Sequence, residues 1–258
     1  MTDRTATVVT DRASFVLADN PGFMTLEGTN TWILREPGAT QSVVVDPGPL
    51  EEQHLQAVIA AAGPVGLVLI THRHFDHTEG AARFAELTGA AVRATDPQFC
   101  GDAQPLVDGE QIIVDGLVID VLATPGHTAD STCFRLPAEN TLLSGDTILG
   151  RGTTVVAHPD GVLGPYLDSL ALIGELAEEG LVDRILPGHG PVIADPGAVV
   201  NGYLEHRAER LDQVLQAVEQ GATTPREVVE MVYQDVDQIL WPAAELSVAA
   251  QLDYLRDA

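Results

Sequence analysis

Residues 71–77, with the sequence T-H-R-H-F-D-H, decide the fold and directly follow an apolar run typical of a buried strand. The end of that strand delivers His72, His74, Asp76 and His77 into one short loop. His72 and His74 lie two residues apart, so their side chains point the same way in an extended chain, whereas Asp76 and His77 diverge towards a second position. Imidazoles mixed with a carboxylate suit zinc first, with iron or manganese as alternatives. The loop therefore predicts a site for two metal ions.

Three further motifs follow in order along the chain: T-P-G-H at 124–127, S-G-D at 144–146 and P-G-H-G at 187–190. Together with H-x-H-x-D-H, this set resembles the signature of the metallo-β-lactamase superfamily. The resemblance implies two ions that share one bridging carboxylate. The implied ligands are His72, His74 and His127 for one ion, Asp76, His77 and His189 for the other, and Asp146 for the bridge.

Periodicity alone predicts only a mixed α/β protein, with helices alternating between strands. The resemblance implies more, namely a four-layer αββα sandwich over residues 1–196. From residue 197 to residue 258 the pattern is helical only, and three helices there resemble a small winged-helix domain. The chain ends where that family adds a wing hairpin, so we expect the wing to be absent or incomplete.

Apolar runs and turn residues give the element boundaries. We predict strands at residues 14–18, 31–34, 42–45, 65–70, 91–94, 111–114, 117–122, 132–136, 141–144 and 184–186, and helices at 51–61, 79–88, 166–176, 200–218, 225 onwards and 241–255. Thr224 and Glu227 have the spacing of a helix capping box.

The first C-terminal helix has an apolar stripe interrupted by Arg207. The stripe comprises Val200, Leu204, Leu211, Leu215 and Val218. A buried guanidinium without a partner is costly, so we interpret Arg207 as an ion-pair brace between the domains, with substrate binding as the alternative. His206 and Arg210 flank it as weaker candidates for the cleft rim.

Four other residues lie near the motifs. Asn30 ends a turn-rich segment that, by the resemblance, borders the metal cleft, so it is a candidate substrate contact. Asp46 follows a buried strand, where the family places a structural carboxylate behind the histidine loop. His54 lies on a helix and is interpreted as a surface residue. Arg151 lies in a glycine-rich segment near Asp146, and we hypothesise that it contacts an anionic substrate.

The predicted chemistry is hydrolysis, since zinc has no redox chemistry. Two adjacent metal ions hold a bridging hydroxide whose pKa is brought near neutrality, and this hydroxide is the predicted nucleophile. Asp76 and Asp146 are the predicted catalytic carboxylates. Asp76 orients the nucleophile and accepts its proton, and Asp146 bridges the metals.

The sequence leaves two hypotheses for the substrate class. The G-T-N-T-W neighbourhood at residues 28–32 most resembles the β-lactamase-like protein 2 branch, whose members include a zinc-dependent endoribonuclease for single-stranded RNA. Thioester or ester hydrolysis, as in glyoxalase II, is the alternative. A hypothesis outside the enzymes is that the chain is a non-catalytic binding module stabilised by zinc. β-Lactam hydrolysis fits less well, since Asp146 stands where secreted enzymes of class B1 have a cysteine.

Composition narrows the partners and the compartment. The net charge is −25, and all 13 basic residues are arginines. Nucleic-acid binders usually have a basic face, so we expect no tight nonspecific binding of RNA or DNA. Cys100 and Cys133 fit no metal or disulfide motif. No long apolar run and no signal-like segment is present, so we predict a cytoplasmic protein without membrane spans. The sequence carries no signal for an oligomeric state.

Overall fold

The computed structural model describes residues 5–257 and contains two sheets. The first sheet has the order β1-β2-β3-β4-β5-β6, formed by β1 (Thr7–Val8), β2 (Ala13–Leu17), β3 (Asn30–Leu34), β4 (Ser42–Val45), β5 (Val65–Leu69) and β6 (Ala91–Arg93). The second has the order β11-β10-β9-β8-β7, formed by β7 (Gln111–Val114), β8 (Leu117–Ala123), β9 (Thr132–Leu136), β10 (Thr141–Gly145) and β11 (Arg184–Pro187). The helices are α1 (Glu52–Ala62), α2 (Phe75–Thr78), α3 (Ala81–Thr88), α4 (Leu163–Glu178), α5 (Pro196–Glu219), α6 (Pro225–Val232) and α7 (Trp241–Asp257).

The two sheets pack face to face with helices on both outer sides. Successive strand residues point to opposite faces, and β4 shows the result. Val43 and Val45 enter the core between the sheets, whereas Val44 packs towards α1 and α3. In β10, Leu143 faces the other sheet and Leu142 packs against α4. This arrangement confirms the predicted αββα sandwich.

The strand directions bring the functional motifs to one edge of the sandwich. β4, β5 and β6 are parallel neighbours, and β10 and β11 form a parallel pair in the other sheet. Parallel strands end at the same edge, so the residues that follow β4 and β5 lie together, as do those that follow β10 and β11. The histidine loop, Asp146 and the P-G-H-G motif all occupy such strand ends.

The long helix α5 joins the sandwich to the C-terminal helices. Val200 and Tyr203, in its first half, pack into the core beneath α4. Val214 and Ala217, in its second half, pack with α6 and α7. The domain boundary predicted at residues 196 and 197 therefore coincides with the start of a helix that contributes to both cores. The predicted capping box is present at the start of α6.

The apolar stripe predicted for α5 is partly wrong. Leu215 and Val218 are 43% and 39% exposed, whereas Tyr203, Val214 and Ala217 are buried. The buried face is therefore rotated from the predicted one. In the second half of α5, Val214 and Ala217 pack with α6 and α7, and in the first half the hydroxyl of Tyr203 accepts a hydrogen bond from the backbone N–H of Leu149 at 2.9 Å.

The interpretation of His54 as a surface residue is also wrong. His54 is fully buried on the inner side of α1, and its Nε2 lies 2.8 Å from the hydroxyl of Thr31 in β3. A polar partner across the helix–sheet interface makes this burial tolerable.

Within residues 5–257, no helix combines the length and the apolar character required to cross a bilayer.

Candidate metal centre

The histidine loop is held in place by Asp46, at the end of the neighbouring strand β4. Asp46 is buried and accepts hydrogen bonds from the backbone N–H of Thr71 at 2.8 Å and from the Thr71 hydroxyl at 2.7 Å. It also lies 2.8 Å from Nδ1 of His77. The prediction that Asp46 is a structural carboxylate behind the loop is confirmed. The loop then enters α2, which carries Asp76 and His77.

Three imidazoles and one carboxylate converge in a first cluster. Nδ1 of His74 lies 3.0 Å from Nε2 of His72 and 3.1 Å from Nε2 of His127. Oδ2 of Asp146 lies 4.0 Å from Nε2 of His72 and 3.9 Å from Nε2 of His127. These four residues form a group whose ligand atoms could hold one metal ion.

A second cluster adjoins the first and contains Asp76, His77 and His189. Oδ2 of Asp76 lies 3.0 Å from Nε2 of His189 and 3.4 Å from Nε2 of His77. Asp146 approaches this cluster too, with Oδ1 at 3.5 Å from Nε2 of His77 and Oδ2 at 3.4 Å from Nε2 of His189. The structure thus brings together all seven residues predicted as metal ligands, with Asp146 between the two groups.

Hydrogen bonds on the outer side of the rings set which nitrogen faces inwards. Nδ1 of His77 is bonded to Asp46, Nδ1 of His127 donates to the carbonyl of Val155 at 2.8 Å, and Nδ1 of His189 donates to the carbonyl of Gly28 at 3.1 Å. A ring that donates from Nδ1 presents the Nε2 lone pair to its other neighbour. These acceptors therefore orient three imidazoles as ligands.

The residues fit a pair of cations. Within each cluster, ring nitrogens of neighbouring histidines, five in all, lie 3.0–3.3 Å apart. This arrangement is favourable when a cation or a proton lies between the two nitrogens. Oδ1 of Asp146 is buried and has no hydrogen-bond partner among the described residues. A nitrogen-rich set with two carboxylates and no thiolate is the donor set of a catalytic zinc site or of a related first-row metal.

The two clusters differ in charge. Burial lowers the pKa of His72, His74 and His127, that of His127 to about 4, so the three imidazoles of this cluster are neutral at pH 7. Burial also opposes the charge on His189, but the charge and hydrogen bonds of Asp146 and Asp76 outweigh it and raise its pKa to about 9. The pKa of His77 is raised for the same reason, against its burial, by Asp76, Asp146 and Asp46.

Glycine is required at two of the motif positions. A Cβ atom at Gly188 would lie 2.6 Å from Oδ1 of Asp146 and 2.8 Å from Cε1 of His77. Gly126 has a φ of +134°, and a Cβ atom there would lie 2.3 Å from the Cα atom of Tyr166. These approaches explain why glycine directly precedes His127 and His189.

The structure places Asn30 beneath the P-G-H-G loop. Its buried side-chain amide donates to the carbonyls of Pro187 at 3.1 Å and Gly190 at 3.0 Å, and its backbone N–H donates to the carbonyl of Gly188 at 2.8 Å. Both amide hydrogens are used in this way, so the geometry supports a role in positioning His189.

The two predicted arginines lie in different surroundings. Arg151 is half-exposed and pairs with Glu27 at 2.5 Å, in a shallow pocket that also includes Asn30. Arg207 is 5% exposed, donates to the carbonyl of Thr154, and lies over the ring of Tyr166 at 5.1 Å from its centroid. Among the described residues it pairs with no carboxylate, so the expected ion-pair brace is wrong.

Sequence reasoning missed the backbone acceptors at Val155 and Gly28, because carbonyl groups leave no pattern in the side chains. It also missed the role of Arg73, which lies between two proposed ligands. Arg73 pairs with Asp96 at 3.2 Å, Asp130 at 3.4 Å and Asp160 at 3.6 Å. This cluster ties the histidine loop to segments of both halves of the sandwich.

Two family models match the chain. The model described as Metallo-beta-lactamase superfamily matches residues 24–100 and 101–189. The model described as Beta-lactamase associated winged helix domain matches residues 224–257. The C-terminal helices α6 and α7 therefore belong to a winged-helix domain.

Full-length relatives and a solved structure agree with these matches. A beta-lactamase-like protein 2 homolog of Drosophila melanogaster is 32% identical over 93% of this chain and 86% of its own length. An atrochrysone carboxyl ACP thioesterase of Aspergillus fumigatus is 35% identical over 88% of this chain and 75% of its own length. A metallo-beta-lactamase family protein from Thermus thermophilus superposes with a TM-score of 0.82 at 23% identity, covering 97% of this chain and 95% of its own.

The family matches, the αββα sandwich and the two His/Asp clusters at its edge lead to one conclusion. The chain belongs to the metallo-β-lactamase superfamily and is a hydrolase of that fold with a C-terminal winged-helix domain and a cluster that could bind metal.

Proposed function

We propose that the protein is a dinuclear zinc-dependent hydrolase. The position of Asp146 carries the proposal, since its two carboxylate oxygens lie within 4.0 Å of ring nitrogens in both clusters. One shared carboxylate between two nitrogen-rich groups is what a two-metal site requires. Bound metal ions would supply a nucleophilic water of lowered pKa and an electrophile for the scissile group. Zinc fits the donor set best, and iron or manganese would also fit.

The residues of the chain have distinct roles in this proposal. The side chain of Asp76 is 26% exposed, compared with 10% for that of Asp146, so Asp76 is the carboxylate that water reaches more easily. The carboxylate of Asp76 is therefore the group that would orient the attacking water and accept its proton. Asp146 has little contact with solvent and acts as the fixed anion between the two groups of imidazoles.

For the substrate we infer an acyl thioester or ester. Large apolar side chains are exposed on segments that lead to the metal centre, with Phe75 at the start of α2 81% exposed, and Phe23 and Met24 on the loop before Gly28 70% and 53% exposed. Such surfaces suit an acyl group better than a polyanion. The similarity to a protein described as an acyl carrier protein thioesterase, which spans 88% of this chain, supports the same class.

Single-stranded RNA is the second candidate. The ring of Phe75 lies directly between His74 and Asp76 in the chain and is open to solvent, so a nucleobase could stack on it. The similarity to a beta-lactamase-like protein 2 homolog agrees with this candidate at the level of the branch. The net charge of −25 opposes it, because a polyanion approaching this surface is repelled.

A substrate panel tests the proposal. Protein loaded with zinc is assayed in single turnovers against aryl and alkyl thioesters, a lactone and a fluorescent single-stranded RNA. We expect thioester hydrolysis that is lost in Asp146→Ala and retained in the matched control Asp212→Ala, which removes an exposed carboxylate on α5. RNA cleavage that depends on Asp146, without thioester cleavage, would replace the first candidate by the second. Hydrolysis that survives in Asp146→Ala would contradict both.

A further inference from the structure

A cavity of about 290 Å³ adjoins the metal centre, between the sandwich and the C-terminal helices. Two of its lining residues touch the metal centre as well. The carbonyl of Val155 accepts the hydrogen bond from Nδ1 of His127, and the hydroxyl of Thr154 donates to the backbone carbonyl of Asp146 at 2.8 Å. The loop that supplies Phe23 to the cavity continues to Gly28, whose carbonyl is bonded to His189. The cavity and the metal centre thus share two walls.

The charge of this cavity is opposite to that of the protein. The chain has 38 acidic residues and a net charge of −25. Among the described residues that line the cavity, none is acidic, and α5 contributes His206, Arg207 and Arg210. A cationic cavity in an acidic protein indicates that an anion binds there.

The two arginines keep their charge available. Nε of the buried Arg207 has no hydrogen-bond partner among the described residues. Arg210 donates to the side-chain oxygen of Gln213 at 2.9 Å and lies over the ring of Tyr233 at 4.6 Å. Within residues 5–257 neither arginine pairs with a carboxylate, whereas an arginine such as Arg93 pairs with Glu110 at 2.8 Å. A buried guanidinium without an anion is costly, so a bound anion would relieve that cost.

His206 lies in the positive potential of the two arginines. Burial lowers the pKa of His206, and the charges of Arg207 and Arg210 lower it further. An imidazolium charge on His206 is therefore disfavoured beside the two guanidinium groups.

The remaining walls are apolar. Phe23 and Met24 contribute from the sandwich side, and Val236, Leu240 and Ala243 contribute from the C-terminal helices. Ligand sites typically combine apolar walls with a few placed polar groups, as here. The ligand that fits has one anionic end and an apolar remainder.

We propose that this cavity binds the anionic end, a carboxylate or a phosphate, of an otherwise apolar substrate, and that Arg210 and Arg207 hold it. That this ligand is a substrate rests on the proposed hydrolase function, whereas anion binding by the cavity does not. The bound end would lie against the 153–155 segment, with the apolar remainder directed along the shared walls to the metal centre.

Isothermal titration of the full-length, metal-loaded protein tests this proposal. The probes are phenyl phosphate, 3-phenylpropionate and the neutral 3-phenylpropanol. Arg210→Gln is preferred to a change at buried Arg207, since Arg210 is only partly buried. The matched control is Arg226→Gln, whose guanidinium also lies over an aromatic ring, that of Trp241 at 4.8 Å, but is paired with Glu230 at 2.8 Å and lies outside the cavity.

We expect Arg210→Gln to weaken binding of at least one anion by about tenfold or more, the loss typical of one charge-assisted contact, and Arg226→Gln to leave it unchanged. The anion that loses more affinity identifies carboxylate or phosphate as the group recognised. Both variants keep every proposed metal ligand, so anion binding to the metals cancels in their comparison.

Two results would overturn the proposal, namely 3-phenylpropanol binding as tightly as the anions, or equal losses in both variants. The hydrolase proposal is judged separately. Selective loss of anion binding in Arg210→Gln, combined with no hydrolysis of any thioester or ester, would leave the anion site in place and refute the proposed substrate class.

Discussion

The imidazoles of the two clusters differ in protonation, which predicts that their metal ions bind with different pH dependence. In the metal-free protein at pH 7, His77 and His189 carry protons because Asp76 and Asp146 raise their pKa values, that of His189 to about 9. Each proton must leave before the nitrogen can bind a metal. The pKa of His127 is lowered to about 4, so the first cluster is already deprotonated. At neutral pH the first cluster should fill before the second.

The magnitude follows from the pKa of about 9 for His189. That pKa is about two units above pH 7, so the proton on His189 alone weakens metal binding about 100-fold, or about 2.7 kcal/mol at 1.36 kcal/mol per unit. The sign is fixed by the raised pKa. Affinity for the second metal should rise as the pH increases from 7 to 9, whereas affinity for the first should change little over that range.

Calorimetric zinc titration of the metal-free protein, in buffers of different ionisation enthalpy, measures the protons released. At pH 7 we expect about two protons from His77 and His189 with the second metal, in addition to the proton that water loses on forming the bridging hydroxide, and almost none with the first. His158→Ala is a control, since His158 is partly exposed and outside both clusters. Equal proton release in both binding steps would contradict the different protonation of the two clusters, as would pH-independent binding of the second metal.

Gly188→Ala and Asp46→Asn test the packing around the site, and Val214→Ala and Leu215→Ala test the packing of α5. Gly188→Ala would place a Cβ atom 2.6 Å from Oδ1 of Asp146, so we expect elemental analysis to find fewer than two metals per chain in a protein with an unchanged circular dichroism spectrum; two retained metals would contradict this. Asp46→Asn removes the buried charge beside His77 and should lower the free energy of unfolding by about 3 kcal/mol in urea, whereas a loss below about 1 kcal/mol would be inconsistent with its supporting role. Val214→Ala should lower that free energy by about 2 kcal/mol and Leu215→Ala by less than about 0.5 kcal/mol, and the reverse order would favour the stripe predicted from sequence.

Strands near the site were predicted well because each is short, apolar and followed by a turn. β4, β7 and β9 have the predicted boundaries, and the histidine loop follows β5 as expected. The helix predicted over residues 79–88 begins instead at Ala81, as α3, and the short helix α2 at Phe75–Thr78 was not predicted. Gly80 separates them where a Cβ atom would lie 3.0 Å from the carbonyl of Gly48, a contact between distant segments that periodicity does not contain.

Polar residues were predicted less well, because their environment depends on partners elsewhere in the chain. His54 is buried since the hydroxyl of Thr31 lies beside its ring, and Arg207 is buried since a backbone carbonyl and an aromatic ring receive it. The resemblance supplied the grouping of the seven proposed ligands, and the structure brings them together in those groups. Arg207, His206 and Arg210 were candidates for substrate contact or the cleft rim, but the cavity that they line was not predicted, because it combines residues from the loop at 23–24, the segment at 153–155 and the C-terminal helices.

In the proposed mechanism, two metal ions joined through Asp146 make this protein a hydrolase. The most direct test is a titration of zinc into metal-free protein while single-turnover thioester hydrolysis is followed. We expect no hydrolysis without metal and full activity only when both His/Asp clusters are filled, at about two zinc ions per chain. Full hydrolysis by protein stripped of both metals would contradict the proposed mechanism.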